Sequence, residues 1–320
     1  MKRLFRIVLT LLTCCVALSS QAWNRGGHLT TGAIAYRELV AANPVAVARI
    51  VSVMKAHPTL SLFDGRVESE STPEAKAERL FMEMATWPDE VRPDSAYAKD
   101  FHHDSWHWIN IVDVPPRTPV SFVAPAEITK DRLFEAFAKN VAIVANESAS
   151  DADRAVALCW VFHLVGDLHQ PLHTTALFNP EFPDGDKGGN AIKIKVTEGG
   201  KIINLHSFWD GAVLGSSDPQ AARNTASKLR AANPRDAMSD MKLRPYTGSV
   251  AFEAWGRQES AFIATTFAYD NGELLNYTKS DGAYVLTPEY ISNTKAIADQ
   301  RATLAGYRLA EILAQLFKSP

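Results

Sequence analysis

The stretch His163-Leu-Val-Gly-Asp-Leu-His-Gln-Pro-Leu-His173 places three histidines and an aspartate within an otherwise apolar segment. On a helix, His163 and Asp167 are four residues apart and point from one face, so they can hold a cation between them. Pro171 would break that helix and let His173 approach from another direction. A lone buried His–Asp pair is common in protein cores, but the additional His169 and His173 favour a metal site.

A second pair has the same spacing, in His206-Ser-Phe-Trp-Asp210. Large apolar residues again border it. Burying several carboxylates among apolar side chains is costly unless a cation compensates their charge. The two pairs together therefore predict metal binding.

A third cluster of polar side chains lies within residues 87–108. Asp89 and one of three histidines, His102, His103 or His107, could complete a metal site. Spacing alone does not choose among the three histidines.

The first 22 residues have the pattern of a secretory signal. Three basic residues precede an apolar run over residues 7–18, and Ser20-Gln21-Ala22 offers small residues where a signal peptidase cleaves. The run is too short to span a membrane, and no later stretch is long and apolar enough. We therefore expect residues 1–22 to be removed and residues 23–320 to be exported, to a periplasm or the medium, without stable membrane association.

Cleavage before Trp23 would create the N-terminus Trp23-Asn-Arg-Gly-Gly-His28. A free α-amine and the carbonyl oxygen of the same residue can form a five-membered chelate around a cation. His28 can reach the same ion across two glycines. The new N-terminus is thus a further candidate for metal binding.

Composition describes a globular chain of 320 residues, 46% hydrophobic and 22% charged. Its formal charge is −3, and removal of the three basic signal residues leaves 30 Lys and Arg against 36 Asp and Glu, or −6. This balance is unusual for a nucleic-acid binder. Either the partner is not a polyanion, or bound metal supplies the positive charge.

Cysteine and histidine positions add three expectations. Cys159 alone remains after signal removal, so no disulfide can form within the mature chain. Its apolar neighbours predict a buried, inert thiol. His57, which precedes Pro58 on a polar stretch, is expected to lie on the solvated surface.

Apolar residues recur every three or four positions through most of the mature chain, which predicts helices. The predicted helices span residues 29–42, 44–56, 73–87, 129–146, 151–168, 219–232, 249–269 and 287–316. Between Asn190 and Leu205, apolar residues alternate with lysines around Gly199-Gly200, which predicts one β-hairpin. No repeat or change of composition divides the chain. The predicted fold is therefore mainly α, a single helical domain over residues 23–320 with one small β-hairpin.

Taken together, these motifs resemble the zinc-dependent single-strand nucleases of fungi and plants, the S1/P1 type, over essentially the whole mature chain. The fold implied is that shared by these nucleases and zinc-dependent phospholipase C. The matching pieces are Trp-x4-His at Trp23–His28, Trp-x-Asp-x2-Arg at Trp87–Arg92, the stretch His163–His173, Gly-Gly-Asn at Gly188–Asn190, Asn204–Asp210 and Ala305–Ala310.

The resemblance implies three Zn²⁺ ions per chain and names the protein ligands of each. It implies one zinc on Asp89, His107, His163 and Asp167, a second on the Trp23 amine and carbonyl, His28 and the other oxygen of Asp167, and a third, more open zinc on His173, His206 and Asp210. It selects His107 over His102 and His103. It leaves His169 outside the ligand set, as a supporting or structural residue.

The activity implied is hydrolysis of single-stranded DNA and RNA to 5′-phosphorylated products, with removal of 3′-phosphates from nucleotides as a further activity. A water between two zincs becomes hydroxide near neutral pH and can attack a phosphodiester. Three zincs would also offset the charge of −6 and attract the substrate phosphate.

The resemblance further implies roles for individual side chains around the metals. Arg92 would add positive charge at the phosphate, and Trp108 would stack on a base. Asn190 would contact the substrate, and Asp167 would act in catalysis by bridging the close pair of zincs. Asn110 departs from the pattern, since the fungal and plant relatives have Asp there, so a base or orienting role would pass to Asp113.

Two other functions compete with this interpretation. Zinc-dependent phospholipase C has a similar fold and metal set, but its last helical pair is His-x3-Glu and its first histidine lies further from the tryptophan. Here the pair ends in Asp210, and His28 is close to Trp23. A zinc-scavenging protein without catalysis would have closed sites, whereas His173, His206 and Asp210 leave a coordination position open.

The N-terminal chelate generates the first prediction. A variant that keeps residues ahead of Trp23 should lose one zinc and most activity, because an amide nitrogen cannot replace the amine. Zinc content by mass spectrometry or elemental analysis, compared with that of protein starting at Trp23, checks this. Equal zinc content and equal rates in the two forms would exclude the chelate.

Overall fold

The computed structural model describes residues 23–91, 95–127, 130–238 and 246–318. Over these residues the fold is mainly α-helical, as predicted, with short strands. The α-helices are α1 (Arg25–Ala42), α2 (Pro44–Met54), α3 (Asp64–Glu68), α4 (Pro73–Glu90), α5 (Ala98–Phe101), α6 (Leu133–Ala145), α7 (Asp151–His169), α8 (Leu205–Asp210), α9 (Pro219–Ala232), α10 (Arg235–Met238), α11 (Ser249–Ala254), α12 (Ala261–Ile263) and α13 (Pro288–Leu316). The strands are β1 (Ile111–Asp113), β2 (Thr175–Leu177), β3 (Lys193–Lys195), β4 (Ile203–Asn204), β5 (Lys279–Ser280) and β6 (Ala283–Val285).

Helix α7 lies between other helices and is buried on all sides over its C-terminal half. It packs against α4, α6 and α13, while α1 packs against α4, α9 and α13. A helix that is apolar all round can satisfy its side chains only in such an interior position. The two helices that carry His28, His163 and Asp167 are therefore central elements of the fold.

Side-chain caps fix where the helices with predicted ligands begin. Asn24 accepts a hydrogen bond from the Gly27 amide at the start of α1 (3.0 Å), and Ser150 accepts one from the Asp153 amide at the start of α7 (3.1 Å). Asn204 caps the short helix α8 in the same way. Asn and Ser are favoured at this position because their oxygens satisfy amides that have no partner within the helix.

Two helices differ from their predicted form. Helix α4 was expected to end at Trp87 but continues through Pro88 to Glu90, so that Asp89 lies in its last turn. The predicted helix over residues 249–269 is interrupted by two π-helical segments, Trp255–Ser260 and Ala264–Ala268. A π segment widens the helix and rotates the side chains that follow it.

The first π segment carries Glu259 and Ser260 into a buried polar network. Glu259 accepts hydrogen bonds from Arg308 with both carboxylate oxygens (2.7 and 2.8 Å) and one from Arg301 (2.9 Å). Arg301 also donates to Ser260 (2.7 Å), which donates to the carbonyl of Leu168. The network thus ties α13 to the C-terminal turn of α7.

The strands form two small sheets. The predicted hairpin is present as the antiparallel pair β3–β4, with Ile194 opposite Ile203. Strand β6 adds in parallel to β3, and β5 pairs with β6, which gives the order β4-β3-β6-β5. A separate parallel pair joins β1 to β2, with Asp113 opposite Leu177. These additional strands have two or three residues each, too few for an alternating pattern to be recognised in the sequence.

The expectation for His57 was wrong. Its side chain is buried, with 4% of its surface exposed, and packs edge-on against Trp87 at 4.8 Å. Burial lowers its pKa to about 4, so it is neutral near pH 7. Cys159 is buried and free, as expected, and burial raises the pKa of its thiol. Among the residues that the structure describes, no helix has both the length and the apolar character of a membrane span.

The buried network generates a stability prediction. Burial alone would raise the pKa of Glu259, but Arg308 and Arg301 hold it below the ordinary value of 4.5. Since the folded-state pKa is depressed, this stabilisation is present above about pH 4.5 and is lost as pH falls. Glu259→Ala should lower the free energy of unfolding at pH 7 by about 3 kcal/mol, because it leaves two buried cations without their partner.

Glu253→Ala is the matched control, since Glu253 pairs with Arg257 at the surface. Its loss should cost less than about 1 kcal/mol. Urea unfolding of the wild type and both variants at pH 7 and pH 4 measures the effect. Equal destabilisation by the two variants would contradict the assigned role of Glu259.

Candidate metal centre

Donor atoms from separate helices and turns converge into three groups. In each group the nitrogen and carboxylate donors lie within 4.8 Å of one another. The groups are His28, Asp89 and His163; His107, His163 and Asp167; and His173, His206 and Asp210. All of these side chains are residues that the sequence predicted as ligands. Within one group, the structure therefore brings together residues that are up to 135 positions apart in the chain, His28 and His163.

Asp167 lies next to the histidines of both of the first two groups. Its Oδ2 lies 3.2 Å from both His107 Nδ1 and His163 Nε2. Its Oδ1 lies 3.3 Å from His28 Nε2 without the geometry of a hydrogen bond. Asp89 Oδ1 lies 3.7 Å from His163 Nε2. The fully buried carboxylate thus turns one oxygen towards each of two groups of nitrogens.

Backbone carbonyls determine which ring nitrogen of three histidines can bind a cation. His163 Nδ1 lies 2.8 Å from the Ala85 carbonyl, and His173 Nδ1 lies 2.6 Å from the His107 carbonyl. His206 Nδ1 lies 2.6 Å from the Gly188 carbonyl. A carbonyl oxygen only accepts, so each Nδ1 carries a hydrogen, and in the neutral ring each Nε2 presents a lone pair. Such an orienting partner is usual for metal-binding histidines.

The lone pairs so defined face each other. His173 Nε2 and His206 Nε2 are 3.0 Å apart, although both Nδ1 atoms already donate to carbonyls. Two neutral acceptors at this distance have no hydrogen to share. A cation between them, with Asp210 Oδ1 at 3.5 Å from His206 Nε2, would satisfy all three donors. The residues present therefore fit a metal ion.

The surroundings of Asp167 favour a charged carboxylate beside a protonated histidine. Burial alone would raise the pKa of Asp167, but His163 and hydrogen bonds from the surrounding histidines hold it well below its usual range. Burial likewise lowers the pKa of His163, yet the charges of Asp167 and Asp89 raise it to about 9. Without a metal ion, Asp167 is therefore held as a carboxylate and His163 keeps a proton, and a metal ion could take the place of that proton.

The third group, His173, His206 and Asp210, disfavours charge on its own side chains. Burial and the proximity of His206 lower the pKa of His173 to about 3, so this histidine stays neutral. Burial, together with the charges of Asp89 and Asp167, raises the pKa of Asp210 well above its usual value. Gln170 donates a hydrogen bond to Asp210 Oδ1 (2.7 Å) and partly offsets this. A cation at this group would stabilise the carboxylate form of Asp210.

A glycine in α7 makes room for His28. A Cβ atom added to Gly166 would lie 2.8 Å from His28 Nδ1 and 2.9 Å from its Cε1. The His28 ring stacks on the His163 ring, with centroids 4.1 Å apart, and neither of its nitrogens has a hydrogen-bond partner among the described residues. Sequence reasoning gave Gly166 no role, although it lies inside the quoted stretch between His163 and Asp167.

The start of α1 is fastened to the third group. Trp23 is fully buried, and the amide of Asn24 donates to the carbonyl of Asp210 (3.1 Å). The chain on the N-terminal side of Trp23 lies outside the described residues, so the predicted signal and its cleavage remain predictions. The contact nevertheless brings the proposed N-terminus and α8 next to each other.

The peptide unit whose Gly188 carbonyl orients His206 is held, through the Gly189 amide, by a buried carboxylate. Asp186 accepts hydrogen bonds from the amides of Leu177 (2.9 Å) and Gly189 (2.8 Å) and from the hydroxyl of Tyr269 (3.0 Å). Burial raises the pKa of Asp186 to about 7. The sequence analysis missed Asp186, and its only signal was its position in a loop rich in glycine.

Of the three histidines left open by spacing, the structure brings His107 into a group. His103 instead stacks on Trp106, with ring centroids 3.8 Å apart. Neither His102 nor His103 belongs to a metal-type group within the described ranges. His169, expected outside the ligand set, donates from Nδ1 to the Val165 carbonyl (2.7 Å) and accepts from Arg308 at Nε2 (2.9 Å).

The predicted substrate contacts lie beside the groups. Trp108 follows His107, and the guanidinium of Arg132 lies 3.6 Å from the centre of its ring. Asn190 donates to the Lys187 carbonyl (2.8 Å) and accepts from Asn204, close to the turn that orients His206. Both positions are compatible with substrate binding, which stays a prediction.

Two predicted catalytic residues, Arg92 and Asp113, are not members of the three metal-type groups found among the described residues. Arg92 lies outside the described residues. Asp113 accepts a hydrogen bond from Thr265 (2.9 Å), and burial raises its pKa. It belongs to none of the three groups found among the described residues. A catalytic role for Arg92 and Asp113 therefore remains a prediction.

Comparison with known proteins identifies relatives along the same range of residues. A family model described as S1/P1 Nuclease matches residues 23–318. Nuclease S1 of Aspergillus oryzae is 24% identical over 331 aligned positions, which cover 96% of each chain. Endonuclease 4 of Arabidopsis thaliana is 25% identical over 74% of this chain and 77% of its own. Nuclease P1 of Penicillium citrinum is 34% identical over 40% of this chain and 42% of its own.

The close approach of Gly166 and His28 generates a prediction. Gly166→Ala should displace the His28 ring, and we expect it to lower bound metal by about one ion per chain, in keeping with the loss of one ligand set. Gly65→Ala is the matched control, because a Cβ at Gly65 meets no atom within 4 Å. Metal content and thermal unfolding measure both changes. Full metal content in Gly166→Ala would show that His28 is not needed to hold a cation.

Proposed function

Because the chain belongs to the S1/P1 nuclease family, we propose that it is an exported, three-zinc endonuclease and phosphodiesterase acting on single-stranded DNA and RNA. Its products would carry 5′-phosphates, and removal of 3′-phosphates from nucleotides is a further proposed activity. The observation that carries the proposal is the pair of lone pairs on His173 Nε2 and His206 Nε2, 3.0 Å apart, which a cation would satisfy. A family of nucleases and a metal-type donor set point to the same chemistry.

The proposed ligand set follows the family pattern. Asp89, His107, His163 and Asp167 would hold one zinc, the Trp23 amine and carbonyl with His28 and Asp167 a second, and His173, His206 and Asp210 the third. In support, the two oxygens of Asp167 face different histidines, at 3.2 and 3.3 Å. Bound zinc would supply Lewis-acid chemistry, lowering the pKa of water and stabilising negative charge on phosphate oxygens.

Residues of the chain itself would orient the metal ligands. Asp167 would keep the histidines of two groups directed towards one another. Gln170 would hold one oxygen of Asp210, so that the third group offers three protein ligands and leaves coordination positions open for a substrate phosphate. Open positions of this kind distinguish an enzyme from a closed zinc store.

Four further side chains would contact the substrate or move protons. Arg92 would bind the phosphate, Trp108 would stack on a base, and Asn190 would bind near the third group. Asp113 would act as the base or orienting group that Asn110 cannot provide. Stacking on a base and access to the backbone are both easier in a single strand, because every unpaired base exposes a π face.

We further propose that residues 1–22 are a signal peptide and that residues 23–320 form one domain. The family match begins at residue 23, the position expected for the mature N-terminus. Nucleic acids and nucleotides would be the partners, as substrates, and no protein partner is required by the proposal.

Product analysis tests the proposed function. Protein starting at Trp23 is incubated with single-stranded DNA, with RNA and with phosphatidylcholine, each with and without a zinc chelator. We expect 5′-mononucleotides from both nucleic acids and their loss with chelator, because each proposed site depends on the metal. Diacylglycerol without nucleotides would replace the proposal by phospholipase C, and absence of any product would favour metal storage.

A further inference from the structure

Two cations lie over two tryptophans next to the candidate metal centre. The guanidinium of Arg132 is 3.6 Å from the centre of the Trp108 ring, and the ammonium of Lys139 is 5.1 Å from that of Trp106. We call these four residues the cation–tryptophan strip. Trp106 and Trp108 flank His107 in sequence, and His107 Nδ1 lies 3.2 Å from Asp167. The strip is therefore adjacent to a donor of the centre.

Helix α6 sets the separation of the two cations. Arg132 is the residue before the first turn of α6, and Lys139 lies two turns further along. With a rise of about 1.5 Å per residue, they are about 10 Å apart along the helix axis. The amide of Leu133 donates to the carbonyl of Trp108 (3.3 Å), which attaches the start of α6 to the tryptophan segment.

Arg132 differs from nearly all other arginines in how its charge is used. Apart from Arg49 and Arg132, every arginine in the described ranges forms an ion pair with a carboxylate. Arg49 donates to the carbonyl of Lys318 on the surface of α2. Within the same ranges, the Arg132 side chain makes neither a hydrogen bond nor an ion pair, and its guanidinium N–H groups are not fully buried. Burial lowers the pKa of Arg132, and the charge of nearby Asp104 only partly offsets this without forming an ion pair. Its donors are available to an anion.

Lys139 is similar in this respect. It is exposed and forms no ion pair with any described carboxylate. It lies near His103, whose ring stacks on Trp106. Stacking on an aromatic ring restricts a cation's position without using its N–H donors. Such a cation is already ordered when it meets a phosphate, so less conformational entropy is lost on binding.

We propose that the cation–tryptophan strip binds the phosphate backbone of a single-stranded nucleic acid alongside the metal centre. The strip would contact phosphates away from the bond that is cleaved, so that longer strands bind more tightly than dinucleotides. This proposal rests on the proposed function and deepens it. It also restricts the role of Trp108, because Arg132 covers one face of the ring and leaves at most the other face for a base.

The test separates binding from hydrolysis. Zinc-loaded protein starting at Trp23 is titrated against a fluorescent single-stranded phosphorothioate DNA of about 20 nucleotides, long enough to extend beyond a site of a few nucleotides. Phosphorothioate keeps the backbone charge and resists hydrolysis. Anisotropy is read at several salt concentrations between about 50 and 200 mM, and hydrolysis of ordinary single-stranded DNA is compared with that of a dinucleotide.

Arg132→Gln and Lys139→Gln should each weaken binding of the strand by about tenfold, the effect of losing one hydrogen bond to a charged group. Each should also reduce the slope of log affinity against log salt by about 0.7, the value for one lost phosphate contact on a single strand. The fall in kcat/KM should be larger for the strand than for the dinucleotide. Arg132→Lys, which keeps the charge, should retain most of the salt slope.

Arg49→Gln is the control with the same loss of charge, at the other arginine of the described ranges that has no carboxylate partner. It should bind and cleave as the wild type does. A double variant of Arg132 and Lys139 with unchanged affinity and salt slope would overturn the proposal. Equal losses on strand and dinucleotide would do so as well. If the wild type cleaves neither substrate, the proposed function fails, while the anisotropy result still decides whether the strip binds nucleic acid.

Discussion

The structure depends most on a carboxylate that is fully buried, that of Asp167. An isolated charge in such a position would be strongly destabilising, and the carboxylate is retained because histidines surround it. His28 comes from α1, His163 from α7 and His107 from the turn before β1. Three segments distant in sequence therefore have to meet at one side chain, and the packing of the central helices satisfies this requirement.

Several features that would be unfavourable elsewhere follow from this requirement. Helix α7 carries Gly166 in its interior, where glycine lowers helix stability, because any larger side chain would meet His28. Its C-terminal turn leaves carbonyl groups without helical partners. Ser260 and Arg301 donate to the carbonyls of Leu168 and His169, so the chain can turn at Pro171 towards His173 with its backbone satisfied. The π segment that delivers Ser260 is thus connected, through α7, to the third group.

Much of this could be predicted from sequence because the relevant signals are local. Helical periodicity identified the long helices, and spacing of four residues identified the pairs His163–Asp167 and His206–Asp210. Choosing His107 over His103 required the resemblance, since the two differ only in what lies opposite them, Asp167 in one case and Trp106 in the other. The roles of Gly166, Asp186 and Gln170 depend on neighbours far away in the chain. His57 was misjudged for the same reason, because its polar local sequence does not reveal that Trp87 covers it.

The distribution of charge connects the fold to the proposed chemistry. Most arginines of the described chain are engaged with carboxylates that hold helices together, as Arg223 is with Glu70 and Glu78, so they cannot serve an anionic substrate without weakening the fold. A phosphodiester must then be met by charge of another origin. The buried donor groups would supply it through bound cations, and a few ordered side chains beside them would extend it along the strand. An acidic protein could in this way act on a polyanion, because bound cations would place positive charge where the bond is cleaved.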